Sequence, residues 1–245
     1  MPPAMTLHGL ANPGRFQRLS RRIAVPLGLL ASALLAVGLY LGLVEAPPDY
    51  QQGDSVRIMF VHVPAAWMAM MAYAVMAGCA ASLLIWRHPL ADVAQRAAAP
   101  IGAGLTLICL ATGSLWGKPT WGTWWVWDAR LTSMLVLLFL YVGHIVLANA
   151  FDDRDRGGRA AAILALAGVI NLPIIKFSVD WWYTLHQPAS VLRLGGPTIH
   201  SSLLVPLLVM AAGFLLYFVA LLLLRIEAGL MARKVEAILG ANRGI

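Results

Sequence analysis

The sequence predicts an all-α integral membrane protein of six transmembrane helices, on three observations. Hydrophobic residues make up 60% of the 245 and charged residues only 12%, with a mean hydropathy of +0.76, which is too apolar for a soluble domain of this length. Six apolar runs each approach the roughly 20 residues that carry a helix across a ~30 Å hydrocarbon core, and helices satisfy their own backbone groups in lipid. Basic residues, finally, segregate between alternate connectors.

The expected spans are residues 23–44, 63–86, 97–116, 131–151, 160–179 and 201–224, forming a single polytopic membrane domain over 1–245. The first run is too long for a signal peptide and lacks a small-residue cleavage site, so it is expected to be retained. Gly38 and Gly42 form one G-x-x-x-G in it, a weak signal for close helix packing. The second run opens on "VHVPAAW", and the third leads into "WGKPTWGTWWVWDARLT". The fifth contains "NLPIIKFSVDWW", which puts Asn171, Pro173 and Lys176 in or near the membrane; Lys176 and Asp180 stand four apart, as a helix-face pair would. After the sixth run the tail "RIEAGLMARKVEAIL" reads as an interfacial helix.

Thirteen of the eighteen basic residues fall on one set of connectors: Arg15, Arg18, Arg21 and Arg22 near the start, Arg87 and Arg96, then Arg154, Arg156 and Arg159, and Arg225, Arg233, Lys234 and Arg243 at the end. The other set holds Arg57, Lys118, Arg130, Lys176 and Arg193. Positive residues stay inside, so both termini are expected in the cytoplasm and the tryptophan-rich loop, residues 116–130, outside. The net charge of +7 therefore reads as topology rather than as a nucleic-acid surface. Cys79 and Cys109 lie within apolar runs and form no C-x-x-C, haem-attachment or zinc pattern. "GSLWGK" has too few residues before its Gly-Lys to be a nucleotide-binding loop, so the chain is expected to hydrolyse no nucleotide by itself.

The chemistry lies on the outer side. Five of nine tryptophans (Trp116, Trp121, Trp124, Trp125, Trp127) crowd into twelve residues, and Trp181 and Trp182 bring the outer total to seven. An interfacial belt scatters its aromatics over many helix ends, whereas indoles clustered in one loop make a platform for a flat conjugated ligand. His8 and His88 are expected on the cytoplasmic side and His144 in the inner half of the fourth span, leaving His62, His186 and His200 outside. His62 and His186 share a His-x-Pro pattern, which places His62 just before the second helix and His186 at a similar position in the loop before the sixth span. Two imidazoles at one membrane depth flanking a tryptophan loop suit axial ligation of haem iron. His200 ranks third as a ligand, and no outer cysteine or carboxylate completes a zinc set. Lys118, Arg130, Arg57 and Arg193 could meet the propionates of a porphyrin. Two roles remain open for Asp128: orienting Arg130 or an indole N–H, or capping the fourth helix.

These residues resemble a known family. "WGTWWVWDARLT", with "FVHVPAAW" before it and "IKFSVDWWYTLHQPAS" after it, is similar to the WWD signature of the CcmC family, the haem exporter protein C of cytochrome c maturation. The likeness covers about residues 57–200 and all six spans. It implies His62 and His186 as axial ligands of non-covalent haem b, and a binding segment of Trp121, Trp124, Trp125, Trp127, Asp128 and Arg130, with Trp116 as an extension. It also implies a bacterial inner-membrane location with the haem site facing the periplasm. The implied partners are the haem chaperone CcmE, which takes haem by its own covalent bond, and CcmA, CcmB and CcmD, with any ATPase activity in CcmA. On this reading the chain is a haem-handling subunit in contact with membrane lipid and not an enzyme. A haem lyase would carry more spans or an added outer domain, and a transmembrane haem transporter would need polar residues across several spans.

Overall fold

The computed structural model describes residues 12–242; His8 and Arg243, assigned to the cytoplasmic side above, lie outside the described residues. Among the described residues seven α-helices follow in order: α1 (Pro13–Tyr40), α2 (Met59–Trp86), α3 (Pro89–Trp121), α4 (Ala129–Asn149), α5 (Arg154–Gly168), α6 (Asn171–Trp181) and α7 (Ser201–Asn242). With α5 and α6 taken as one interrupted span, six helices among the described residues are long and apolar enough to cross a membrane.

Local chemistry accounts for the ends. Asn12 caps α1, its Oδ1 accepting the Gly14 and Arg15 N–H groups at 2.9 and 3.3 Å, with Pro13 at the first helical position. The helix widens to a π turn over Leu41–Glu45 before Pro47 and Pro48 stop it. A 3-10 turn, Asp54–Ile58, runs without interruption into α2. Arg87, left-handed at φ 52°, ends α2, and His88 caps α3 by accepting the Leu90 N–H at its Nδ1. Gly122, at φ 79°, closes α3; its N–H bonds the Lys118 carbonyl. Pro173 explains the break between α5 and α6. It lacks the N–H that Val169 O would accept, and its ring would crowd that carbonyl in a continuous helix. Asn171 fills the gap by donating from Nδ2 to Ser133 O on α4 at 2.9 Å.

The core lies between α2, α3, α4 and α5, centred on Tyr73 and Tyr141, whose rings meet edge to face at 5.2 Å. Gly38 and Gly42 do form a close-packing face. A Cβ on Gly38 would lie 2.6 Å from Met210 Sδ on α7, and one on Gly42 2.6 Å from Phe60 Cδ2 on α2.

Three elements differ from the sequence reading. α3 runs on to Trp121, so Trp116 and Trp121 are helical and only residues 122–128 form the loop. His62 lies within the first turns of α2 rather than before it, because the Asp54–Ile58 turn starts the helix upstream of the His-x-Pro pattern. The tail is not a separate helix. α7 continues unbroken to Asn242, held to the bundle by Arg21–Glu227, Arg233–Asp92 and Arg154–Glu236 ion pairs and by buried Ile226.

Candidate functional site

At the bundle end that carries residues 122–128, helix α2 presents His62 to α3. The His62 Nδ1 lies 3.0 Å from Cys109 O and 3.1 Å from Thr112 Oγ1. A carbonyl can only accept, so Nδ1 carries the proton. The Thr112 hydroxyl spends its own hydrogen on Ile108 O at 2.6 Å and offers His62 a lone pair. His62 Nε2 is thereby left with a free lone pair. Gly113 makes room for this ring, since a Cβ there would sit 2.8 Å from His62 Cε1. Trp116 meets the ring edge to face at 5.6 Å, and its indole N–H is fixed by Gln52 Oε1 at 2.8 Å.

His186, on the irregular segment between α6 and α7, arrives at the same place. Its Nδ1 lies 2.9 Å from Asp128 Oδ2, and its ring stands edge to face with Trp121 at 4.8 Å. A carboxylate only accepts, so His186 too is protonated at Nδ1 and bare at Nε2. Asp128 settles the choice left open by the sequence. Its Oδ1 caps α4 by accepting the Leu131 N–H at 2.8 Å while Oδ2 orients His186, and no hydrogen bond joins it to Arg130. Burial alone would raise the Asp128 pKa; the hydrogen bonds from His186, Leu131 N–H and Leu185 N–H outweigh it, so the carboxyl titrates below its ordinary 3.8.

The loop itself is folded back on α3. Gly117 permits this, because a Cβ there would lie 3.2 Å from Thr123 O, and Ser114 Oγ donates to Trp124 O at 2.7 Å. Trp124 and Trp127 are 53% and 74% exposed, so these indoles are open surface rather than core. Trp125 packs edge to face on Trp127 at 5.5 Å, and its indole N–H is buried with no hydrogen-bond partner. Such an orphaned donor costs about 1–3 kcal/mol until an acceptor reaches it.

The remaining predicted residues separate into two groups. Arg130 ties α4 to α6, donating from Nε to Ser178 Oγ at 3.0 Å and from Nη2 to Lys176 O at 3.4 Å, and Arg57 is held by Leu43 O and Asp54. Lys118 and Arg193 stay exposed, Lys118 5.9 Å from the Trp124 ring centre. Lys176 and Asp180 make no ion pair with each other among the described residues. His200 is a helix cap: its Nδ1 accepts the Ser202 N–H at 3.2 Å, the reverse of the proton placement in His62 and His186. Among the described residues no three His, Cys, Asp or Glu side chains converge as a bare metal site would need.

The sequence matches the family described as "Heme exporter protein C" over residues 6–239. A protein of that name from Bradyrhizobium diazoefficiens is 56% identical over 234 residues, 96% of this chain and 89% of its own. The chain belongs to the heme exporter protein C family. The Escherichia coli protein of the same name is 52% identical over 222 residues, 91% of this chain and 89% of its own. That of Paracoccus denitrificans is 39% identical over 236 residues, 96% and 98% respectively.

To the sequence of this family member the structure adds residues that motif reading passed over: Gln52, Cys109, Thr112, Gly113 and Ser178. Most carried a signal. Cys109, Thr112, Gly113 and Trp116 recur at i, i+3, i+4 and i+7, one face of α3, and this is the face that receives His62. Gln52 lies in a turn with no periodicity and could not have been picked out.

Proposed function

We propose that the protein binds haem b non-covalently at this end of the bundle, facing the periplasm of a bacterial inner membrane, and hands it to the haem chaperone CcmE during cytochrome c maturation. His62 and His186 are the axial iron ligands. The observation that carries the reading is their matched proton placement: each imidazole spends Nδ1–H on an acceptor and keeps the Nε2 lone pair for a metal. Each is also flanked by an indole, Trp116 or Trp121, while Trp124 and Trp127 offer open apolar faces to a flat ring. The unpartnered Trp125 N–H and the exposed Lys118 and Arg193 suit two propionates, in place of Arg57 and Arg130, which have structural duties. The protein acts as a haem-handling subunit and not as an enzyme, in a complex with CcmA, CcmB and CcmD. The thirteen-to-five division of basic residues supports cytoplasmic termini.

The test is absorption spectroscopy of the purified protein with added haem. A six-coordinate spectrum is expected for wild type, and its loss in both His62→Ala and His186→Ala. Unchanged six-coordinate spectra in the two variants would overturn the ligand assignment. Haem transfer is then assayed separately to CcmE and to apocytochrome; attachment to apocytochrome by this protein alone would replace the handoff with a lyase.

A further inference from the structure

At the other end of the bundle, α3, α5 and α7 enclose a cleft of about 310 Å³, within the range of ligand pockets, roughly 300–1,000 Å³. Its walls carry three arginines, Arg96, Arg154 and Arg225, and its floor is apolar where Gly229 lets α7 approach Val93 of α3. The arginines differ in how far they are committed. Arg96 is the most committed: Nε meets both Asp92 oxygens at 3.1 and 3.2 Å, and Nη1 and Nη2 donate to Ala148 O and Arg154 O. Arg154 gives Nη1 to Glu236, and its Nε is buried without a partner. Arg225 is exposed and enters no ion pair among the described residues. Asp92 is engaged by Arg96, Arg233 and Gln95, and Glu236 by Arg154.

Depth identifies the occupant. Arg225 is the first charge after the uncharged stretch 201–224 of α7, Arg96 stands just before the uncharged stretch 97–117 of α3, and Arg154 lies at the start of α5. The three guanidinium groups therefore stand where apolar helix surface gives way to water, at the level of lipid headgroups. An orphaned guanidinium N–H and an unpaired arginine beside an apolar floor call for an anion with acceptor oxygens. We propose that this cleft binds a phosphate group, supplied by the headgroup of an anionic phospholipid whose acyl chains lie along α3 and α7. The site is separate from the haem site and does not depend on it.

The experiment uses the full chain in detergent, with lipid binding followed by native mass spectrometry and thermal melting. Phosphatidylglycerol is expected to bind roughly tenfold more tightly than phosphatidylcholine, and Arg225→Gln to lose roughly fivefold of that affinity. Arg159→Gln, the same charge change on exposed α5 surface outside the cleft, is expected to bind like wild type. Equal binding of the two lipids would overturn the proposal by removing headgroup recognition, and equal losses in the two variants would overturn it in favour of diffuse attraction. Millimolar inorganic phosphate separates the sources. Failure to displace phosphatidylglycerol supports the lipid; displacement, with Arg225-dependent stabilisation by phosphate alone, would overturn the lipid as occupant.

Discussion

His186 and Asp128 show how one carboxylate can serve a helix and a histidine together. Oδ1 closes the first turn of α4 and Oδ2 holds the imidazole, so an Asp128→Asn change separates the two duties. Asparagine is an equally good cap, but its amide no longer fixes the ring proton on Nδ1. The variant is expected to lose under about 1 kcal/mol of stability and about tenfold in haem affinity, measured by thermal melting and haem titration. The depressed Asp128 pKa adds a pH signature. Stability from its hydrogen bonds is present above its ordinary value of 3.8 and is lost as pH falls through the lower folded value. The melting difference between wild type and Asp128→Asn is therefore expected to shrink as pH falls below about 4. Gly113→Ala acts on the other imidazole, His62. Alanine favours the helix by about 1 kcal/mol, but its Cβ, 2.8 Å from His62 Cε1, turns the ring off Cys109 O. A changed haem spectrum with undiminished helicity by circular dichroism is the expected outcome; an unchanged spectrum would remove Gly113 from the site.

Among the elements, α1 packs along α7, with Ser20 Oγ donating to Leu223 O, Arg21 paired to Glu227 and Leu35 against Gly213. Its closest approaches are made by Gly38 against Met210 and, in the π turn that follows, Gly42 against Phe60. Without a hydrophobic drive between helices in lipid, such contacts rest on close packing. Gly42→Leu is expected to cost about 1–3 kcal/mol and to loosen α1, read as faster labelling of a cysteine placed at Leu207, which is fully buried here. The pattern was legible as G-x-x-x-G, whereas its partner surfaces were not. The break between α5 and α6 was likewise half visible: Pro173 marks it, but only packing supplies Ser133 O as the acceptor for Asn171.

For the whole molecule, the two ends of the bundle are built from different chemistry. One end is aromatic and carries the paired imidazoles. The other is an arginine lattice in which Asp92, 4% exposed, joins Arg96 of its own helix to Arg233 of α7, while Gln95 reaches Gly158 O on α5. Removing that carboxylate takes from Arg96 and Arg233 a counter-charge they share. Asp92→Asn is therefore expected to destabilise by about 3–5 kcal/mol, seen as a lower melting temperature with the haem spectrum of the folded fraction unchanged. The sidedness of the molecule is checked by thiol labelling in intact cells: a cysteine at Gly195 is expected to react with an impermeant reagent from the periplasm, and one at Asp152 to be protected.

Composition, apolar run length and the distribution of arginines were enough to determine a six-span helical protein, and the tryptophan cluster with its two His-x-Pro sites marked the end proposed to bind haem. Those features are local or additive, so they can be read along the chain. What tertiary structure alone decided is the state of the site: which nitrogen of each histidine is free, that Asp128 serves His186 and not Arg130, and that His62 lies inside α2. The partners of the two imidazoles stand 47 and 58 residues away. Their meeting depends on how α2, α3 and α4 rotate and approach one another, and the period of a single helix carries no information about that.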